Sequence, residues 1–148
     1  MSNFGIAATQ WENGDFIRVY HQQDDLGIYE LAWDIVNKRW IKGNGGSPIF
    51  IAKRDTPLAV IFSGPLNIWI YYIDLGNRLR EYVFNGSGWS QGQLQGKSID
   101  HERSTLTAVT WGSGQGLNIR VYHRAHSGYM TEHVFYDGGW VGENSLQI

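Results

Sequence analysis

The chain reads as an all-β protein assembled from three copies of one four-stranded unit. Three observations predict it: a repeat of constant period, short segments of alternating polarity rich in strand-forming residues, and no sustained helical period. The repeat is seen in Ile17-Arg18-Val19-Tyr20, Ile68-Trp69-Ile70-Tyr71 and Ile119-Arg120-Val121-Tyr122, so that Arg18, Trp69 and Arg120 stand 51 residues apart. A glutamate follows each second position after twelve residues, as Glu30, Glu81 and Glu132. A tryptophan follows that glutamate after ten, eight and eight residues, as Trp40, Trp89 and Trp140. An aromatic precedes each tetrad: Trp11, Phe62 and Trp111. Four markers in register over three copies mark a true internal repeat, with copies over about 6–56, 57–104 and 105–148 in one domain.

In the third copy the four strands are expected over Leu106–Gly112, Asn118–Arg124, Met130–Asp137 and Gly139–Leu146. These segments are rich in Val, Ile, Tyr, Phe, Trp and Thr, with Gly, Asn, Asp and Ser between them. Gly45-Gly46-Ser47-Pro48 and Asp100–Ser104 read as the connections between copies. Two architectures accept this pattern. Three such units could close as a β-trefoil, which the period alone slightly favours. Alternatively each is a propeller blade, and since rings usually have four to eight blades, three would need a second copy of the chain to make six.

Composition narrows the function. The formal net charge is -2 and no long run of Lys or Arg occurs, which argues against nucleic acid or an anionic membrane surface as partner. Apolar runs are strand-sized, so membrane insertion is not expected. There is no cysteine, hence no disulfide and no thiolate metal site. The first residues, Met1-Ser2-Asn3-Phe4-Gly5, lack the pattern of a signal peptide, which leads to the expectation of a soluble protein, cytoplasmic or exported by a non-conventional route. Aromatics reach 14% with seven tryptophans, enough to require a role in the core or as a binding platform.

The third copy, from Leu106-Thr107-Ala108-Val109-Thr110-Trp111 through Asn118-Ile119-Arg120-Val121-Tyr122-His123 and Glu132 to Tyr136-Asp137-Gly138-Gly139-Trp140, resembles a blade of the fucose-binding lectins typified by the Aleuria aurantia lectin. The second copy repeats the skeleton in Arg80-Glu81-Tyr82-Val83-Phe84-Asn85-Gly86-Ser87-Gly88-Trp89, and the resemblance covers essentially the whole chain. It implies a six-bladed propeller, here completed by a homodimer. Fucose would lie between neighbouring blades, one supplying an Arg and a Glu and the next two aromatics, three and about eight residues after its own Glu.

Residue parity supports that division independently. Side chains alternate along a strand, so Glu30 and Trp33, Glu81 and Phe84, and Glu132 and Phe135 should each face opposite sides of their blade. Arg and Glu, on consecutive antiparallel strands, can share one face. Sugar hydroxyls require the directional bonds of guanidinium and carboxylate, while the C–H face and the C6 methyl group of a deoxy sugar favour an aromatic wall.

By this resemblance the first cleft takes Arg18 and Glu30 with Phe84 and Trp89. The second takes Glu81 with Phe135 and Trp140, but Trp69 occupies the arginine position, so it is expected to be weak, dead or altered. The third takes Arg120 and Glu132 facing Trp33 and Trp40 of a partner chain. Two extra residues precede Trp40, so that wall could sit differently, and Tyr136 could replace Phe135 if the strand shifts by one. A dimer would hold about four competent sites.

The plainer readings are these. Trp11 and Trp111 are expected in the core. Trp40, Trp89 and Trp140 could instead pack blade on blade, and Arg18–Glu30 and Arg120–Glu132 could be structural ion pairs. His21, His101, His123, His126 and His133 are expected at the surface, with no metal set and no cofactor. The segment from Gly92 to Ser98 ends like a phosphate-binding loop but lacks a glycine at Gln91 and any strand-to-helix context. Asn85-Gly86-Ser87, formally a glycosylation sequon, is expected to be a hairpin turn. Each cleft offers one repeated carboxylate where glycoside hydrolysis needs two, so the chain is not expected to be an enzyme. The leading expectation is a multivalent lectin for L-fucose or fucosylated glycans. The alternatives are a lectin for galactose or N-acetylglucosamine, and a propeller-type interaction scaffold that binds no sugar.

Overall fold

The computed structural model describes residues 5–64, 66–98, 104–124 and 129–147. Thirteen strands appear among them, joined by turns and three short 3-10 segments. The first sheet holds β1 (Ile6–Trp11), β2 (Phe16–Gln22), β3 (Gly27–Asp34) and β4 (Arg39–Lys42), with β5 (Phe50–Ile51) pairing back on β3. The second holds β6 (Ala59–Ser63), β7 (Asn67–Ile73), β8 (Arg78–Phe84) and β9 (Trp89–Ser98). The third holds β10 (Thr105–Trp111), β11 (Asn118–Arg124), β12 (Met130–Tyr136) and β13 (Gly139–Leu146).

Each sheet is an antiparallel meander in sequence order. Among the described residues every strand pairs inside its own sheet, whereas a trefoil would join strands of different copies into one barrel. The trefoil alternative therefore falls. The first strands lie side by side, β1 against β6 and β6 against β10, so the sheets fan out from a shared inner edge as neighbouring blades.

Hydrophobic burial lies between sheets. Tyr20, Ile28, Ile68 and Ile70 belong to a cluster joining the first sheet to the second, and Ile61, Ile73, Leu79, Ile119 and Val121 to one joining the second to the third. Apolar side chains on both faces of the middle sheet account for these two seams: β7 (Asn-Ile-Trp-Ile-Tyr-Tyr-Ile) is buried at five of seven positions. Turn chemistry sets the hairpins. Asp137 and Gly138 take φ of 50° and 79°, the pair of positive angles a tight two-residue hairpin needs. Asn85 Oδ1 accepts from the backbone N–H groups of Ser87 and Gly88, so the sequon is a turn, as expected.

The fourth strand differs among copies. In the second and third sheets it is one run, β9 or β13. In the first it is split, β4 pairing with residues 31–34 of β3 and β5 with residues 27–28. Between them, after Gly43 and before Ile49, which still bond to β3, residues 44–48 leave the sheet through a 3-10 turn at Asn44–Gly46. Thus Gly45 to Pro48, expected to link two copies, belongs instead to an excursion within the first sheet. No helix among the described residues is long and apolar enough to cross a membrane.

Candidate functional site

Arg18, Tyr20 and Glu30 share one face of the first sheet because Tyr20 lies directly opposite Glu30 and Arg18 two residues away on the same strand. Tyr20 Oη donates to Glu30 Oε2 at 2.8 Å. Arg18 Nε stands 3.9 Å from Glu30 Oε1, close enough for attraction but beyond hydrogen-bond length. The guanidinium is held by other means: Nη1 donates to the Ile17 carbonyl at 3.0 Å, and its carbon lies 5.2 Å from the Trp11 ring centroid. Arg and Glu are therefore fixed in place while each keeps bonding capacity for a third group.

The facing wall comes from the second sheet. Phe84 and Trp89 are direct cross-strand partners, their rings 5.3 Å apart. Trp89 also meets Tyr20 edge to face at 5.9 Å, across the boundary between sheets. Arg18, Glu30, Phe84 and Trp89 all line one cavity of about 530 Å³, with Trp11, Phe62, Ile68 and Tyr82 contributing further apolar and aromatic surface. All four residues singled out for the first cleft thus converge. Trp11 packs, partly buried, against the core cluster between the first two sheets and stacks on Phe62 at 4.5 Å; it also lines the cavity and carries Arg18 on its face.

The third sheet repeats the polar half. Tyr122 Oη donates to Glu132 Oε2 at 2.9 Å, and Arg120 Nε lies 3.8 Å from the same oxygen. Arg120 Nη1 donates to the Ile119 carbonyl at 3.0 Å and its guanidinium sits 5.1 Å from the Trp111 centroid. Trp111 is 50% exposed, so the core expectation fails for it. Two differences separate them: Arg120 Nη1 also donates to the Phe135 carbonyl at 3.3 Å, and Asn144 Nδ2 donates to Glu132 Oε1 at 3.1 Å, a bond that, followed by that from Tyr122, holds the Glu132 carboxyl below its ordinary range.

Trp33 and Trp40, on the first sheet, are direct cross-strand partners with rings 5.5 Å apart, the relation of Phe84 to Trp89 and of Phe135 to Trp140. The two extra residues before Trp40 are absorbed in the turn, where Asp34 Oδ1 accepts from the N–H groups of Val36 and Asn37. Phe135, not Tyr136, takes the aromatic position: Phe135 lies 5.5 Å from Trp140, whereas Tyr136 is exposed.

The second cleft is built differently. Trp69 stands where the arginine would be and packs against the seam between the second and third sheets. Glu81 is only 3% exposed. A register shift in β9 opposite Glu81 turns the N–H groups of Gln93 and Leu94 onto Glu81 Oε1 at 2.7 and 3.0 Å, and Trp140 Nε1 adds a third bond at 3.2 Å. Burial pushes the Glu81 carboxyl above its ordinary range despite these donors. The Tyr71 hydroxyl is buried with it, and burial, followed by the Glu81 charge, pushes that hydroxyl well above its ordinary range.

Two histidines contradict a surface assignment. His123 and His133 are buried, with Nδ1 of the first 3.1 Å from Nε2 of the second and Glu143 3.8 Å from His133. His101 and His126 lie outside the described residues, and His21 is half-buried beside Tyr29. Among the described residues no group of three or more His, Asp and Glu could hold a metal. Sequence reasoning also passed over Tyr20 and Tyr122. Their signal was present: the tyrosine recurs two residues after each arginine, on the same face of the strand.

Between the first and second sheets a guanidinium, a carboxylate and an aromatic wall thus meet in one cavity, on a fold of repeated four-stranded sheets. The chain belongs to the fungal fucose-specific lectin family, which it matches over residues 1–148; that family binds carbohydrate and is not a family of enzymes. It is 32% identical over 151 residues to the fucose-specific lectin of Aleuria aurantia, a match covering 95% of this chain and 48% of that one. The crystal structure of the Aleuria aurantia lectin, described as a six-bladed β-propeller with a novel fucose recognition mode, superposes with a TM-score of 0.86 at 30% identity, over 97% of this chain and 49% of that one. A fucose lectin from Kordia zhangzhouensis, solved with methyl-fucoside, shares the fold at a TM-score of 0.65 and 22% identity, over 93% of this chain and 96% of that one. The chain spans about half the length or less of the curated relatives it matches.

Proposed function

We propose that the chain is a multivalent lectin for L-fucose and fucosylated glycans, binding without reaction, metal or cofactor. One observation carries this reading: Arg18 and Glu30, held 3.9 Å apart by separate anchors, share a cavity with Phe84 and Trp89 of the next sheet. A hydroxylated ring inserted there can accept from the guanidinium and donate to the carboxylate while its C–H face lies on the aromatics. Phe62, Ile68 and Phe84 in the same cavity favour a deoxy sugar over galactose. A methyl group gains from such a surface, whereas a C6 hydroxyl would lose its water there without replacement.

Three sheets are half of a six-bladed ring, and a second copy of the chain supplies the other half in this reading. Arg120 and Glu132 then face Trp33 and Trp40 of the partner. The second cleft stays empty, because Glu81 is consumed internally. A dimer presents four sites on one rigid frame, and such linkage raises avidity for surfaces carrying many copies of the sugar.

The test titrates methyl α-L-fucoside against tryptophan fluorescence and measures molar mass by light scattering. Saturable binding at two sites per chain, a dimeric mass, and loss of binding in the doubly substituted Arg18→Ala, Arg120→Ala chain are expected. Unchanged affinity in that variant overturns the site, and a monomeric mass overturns the ring.

A further inference from the structure

The first cleft is larger than its polar floor requires. Its volume of about 530 Å³ lies within the roughly 300–1,000 Å³ of pockets that enclose a whole drug-sized ligand, beyond the needs of one monosaccharide. Part of its lining comes from two turns on different strands from those that carry Arg18 and Glu30. One is the excursion that interrupts the fourth strand of the first sheet, which contributes Asn44. The other is the β8–β9 hairpin, which contributes Ser87 and Gly88.

The chemistry of these turns is specific. Asn44 Nδ2 donates to the carbonyls of Ser47 and Pro48, both at 3.2 Å. Two carbonyl acceptors fix which end of the amide is nitrogen, and the side chain has only its oxygen left to offer. Ser87 Oγ donates to Asn85 Oδ1 at 2.9 Å and likewise retains lone pairs. Both turns thus present uncharged acceptors, suited to a neutral group rich in hydroxyl donors.

The third sheet lacks this arrangement. There Asn144 stands opposite Glu132, bonds its carboxylate, and β13 runs on to Leu146. In the first sheet the corresponding residue is Gly43, whose N–H donates to the Glu30 carbonyl at 2.8 Å. Gly43 has no side chain to cap that carboxylate, a Cβ there would lie 2.0 Å from Glu30 Oε1 in its present position, and the chain turns away immediately afterwards. That departure places Asn44 on the cavity.

We propose that the first cleft is a two-residue site: the terminal fucose occupies Arg18 and Glu30, and the neutral sugar to which it is linked occupies Asn44 and Ser87. The proposal rests on the fucose reading above.

It is tested in the Arg120→Ala chain, where the first cleft remains. Methyl α-L-fucoside and the α1-2, α1-3, α1-4 and α1-6 fucosyl disaccharides are titrated by calorimetry. At least one disaccharide should bind roughly fivefold more tightly than methyl α-L-fucoside, the equivalent of one neutral hydrogen bond. Asn44→Gly, which tolerates the positive φ of 46° at this position, should bring that affinity ratio close to one, and Ser87→Ala should lower it. No gain for any disaccharide, or a gain that survives both substitutions, overturns the second subsite. A complete absence of methyl α-L-fucoside binding sinks the fucose assignment itself and is a separate result.

Discussion

Trp140 of the third sheet donates its indole N–H to the Glu81 carboxylate of the second at 3.2 Å, in the one cleft where an arginine has been replaced. In the other two copies the glutamate faces a guanidinium without bonding to it. Here the protein supplies the missing donors from its own backbone, through the β9 bulge that aims Gln93 and Leu94 at the same oxygen. In this copy the glutamate serves as a clamp between sheets.

That clamp has a pH signature. Glu81 titrates above its ordinary range because it is buried, so the native state binds its proton more readily than the unfolded chain does. The stability it contributes is complete below the unfolded carboxyl value and falls as pH rises through the folded one. Glu81→Gln keeps an acceptor for Gln93 and Leu94 without the charge. Melting temperatures of the two proteins, measured from mildly acidic to neutral pH, should diverge in favour of the variant as pH rises. Parallel curves would show that Glu81 titrates alike in the folded and unfolded states.

Restoring arginine in this copy should not restore a site. Trp69 packs on the seam with Ile119 and Val121, and Glu81 is buried with its Oε1 already taken by Gln93, Leu94 and Trp140. Trp69→Arg is expected to cost roughly 2–3 kcal/mol of stability, somewhat below the cost of truncating a fully buried tryptophan. The number of fucoside sites by calorimetry should be unchanged. An additional site would contradict the account of Glu81 as internally consumed.

Gly43 gives a cleaner perturbation of the first cleft. Its φ of -77° is one alanine adopts freely, yet the added methyl would meet Glu30 at Oε1, Cδ and Cγ. Gly43→Ala should therefore displace the carboxylate, weaken methyl α-L-fucoside binding in the first cleft by tenfold or so, about 1.4 kcal/mol, and leave the third untouched. Calorimetry in the Arg120→Ala background reads the first cleft alone. Wild-type affinity there would mean that Glu30 does not touch the sugar.

The buried histidines make the third sheet acid-sensitive. Burial lowers the His123 imidazole below its ordinary value of 6.5, with His133 against one nitrogen and Glu143 close to His133. A depressed folded value means that the stability is present above 6.5 and lost as pH falls toward the folded value. His123→Gln should flatten the decline in melting temperature below 6.5. An equally steep decline would place the sensitivity elsewhere.

How much of this was legible beforehand follows from what each signal encodes. Strand parity and the fixed spacing from Arg to Glu to Trp are properties of the backbone ladder, so the convergence of Arg18, Glu30, Phe84 and Trp89 could be read directly from the repeat. The exposure of Trp111 could not, because a large aromatic on an inner strand has the same pattern whether it fills a core or carries an arginine on its face. His123 and His133 were misplaced for a related reason: neutral imidazoles that satisfy one another can be buried, and sequence spacing does not reveal the pairing. The β9 bulge and the split fourth strand of the first sheet depend on two to seven residues departing from the repeat, and a consensus built on agreement among copies discards such departures.

The proposed ring can be tested by complementation. Arg120 and Trp40 lie on the two outermost sheets of the chain, and the half-exposed rings of Trp111 and Trp40 mark the faces that would meet. In a symmetric dimer each junction takes Arg120 from one chain and Trp40 from the other. Arg120→Ala and Trp40→Ala should therefore each abolish the same half of the fucoside sites. A dimer of one variant with the other has one junction with both residues intact and one with both lost. Unfolding and refolding the two variants together at equal concentration, with random pairing, should restore roughly a quarter of the junction sites. Calorimetric stoichiometry measures this directly. If the mixture binds no more than the separate variants do, Arg120 and Trp40 do not meet across two chains.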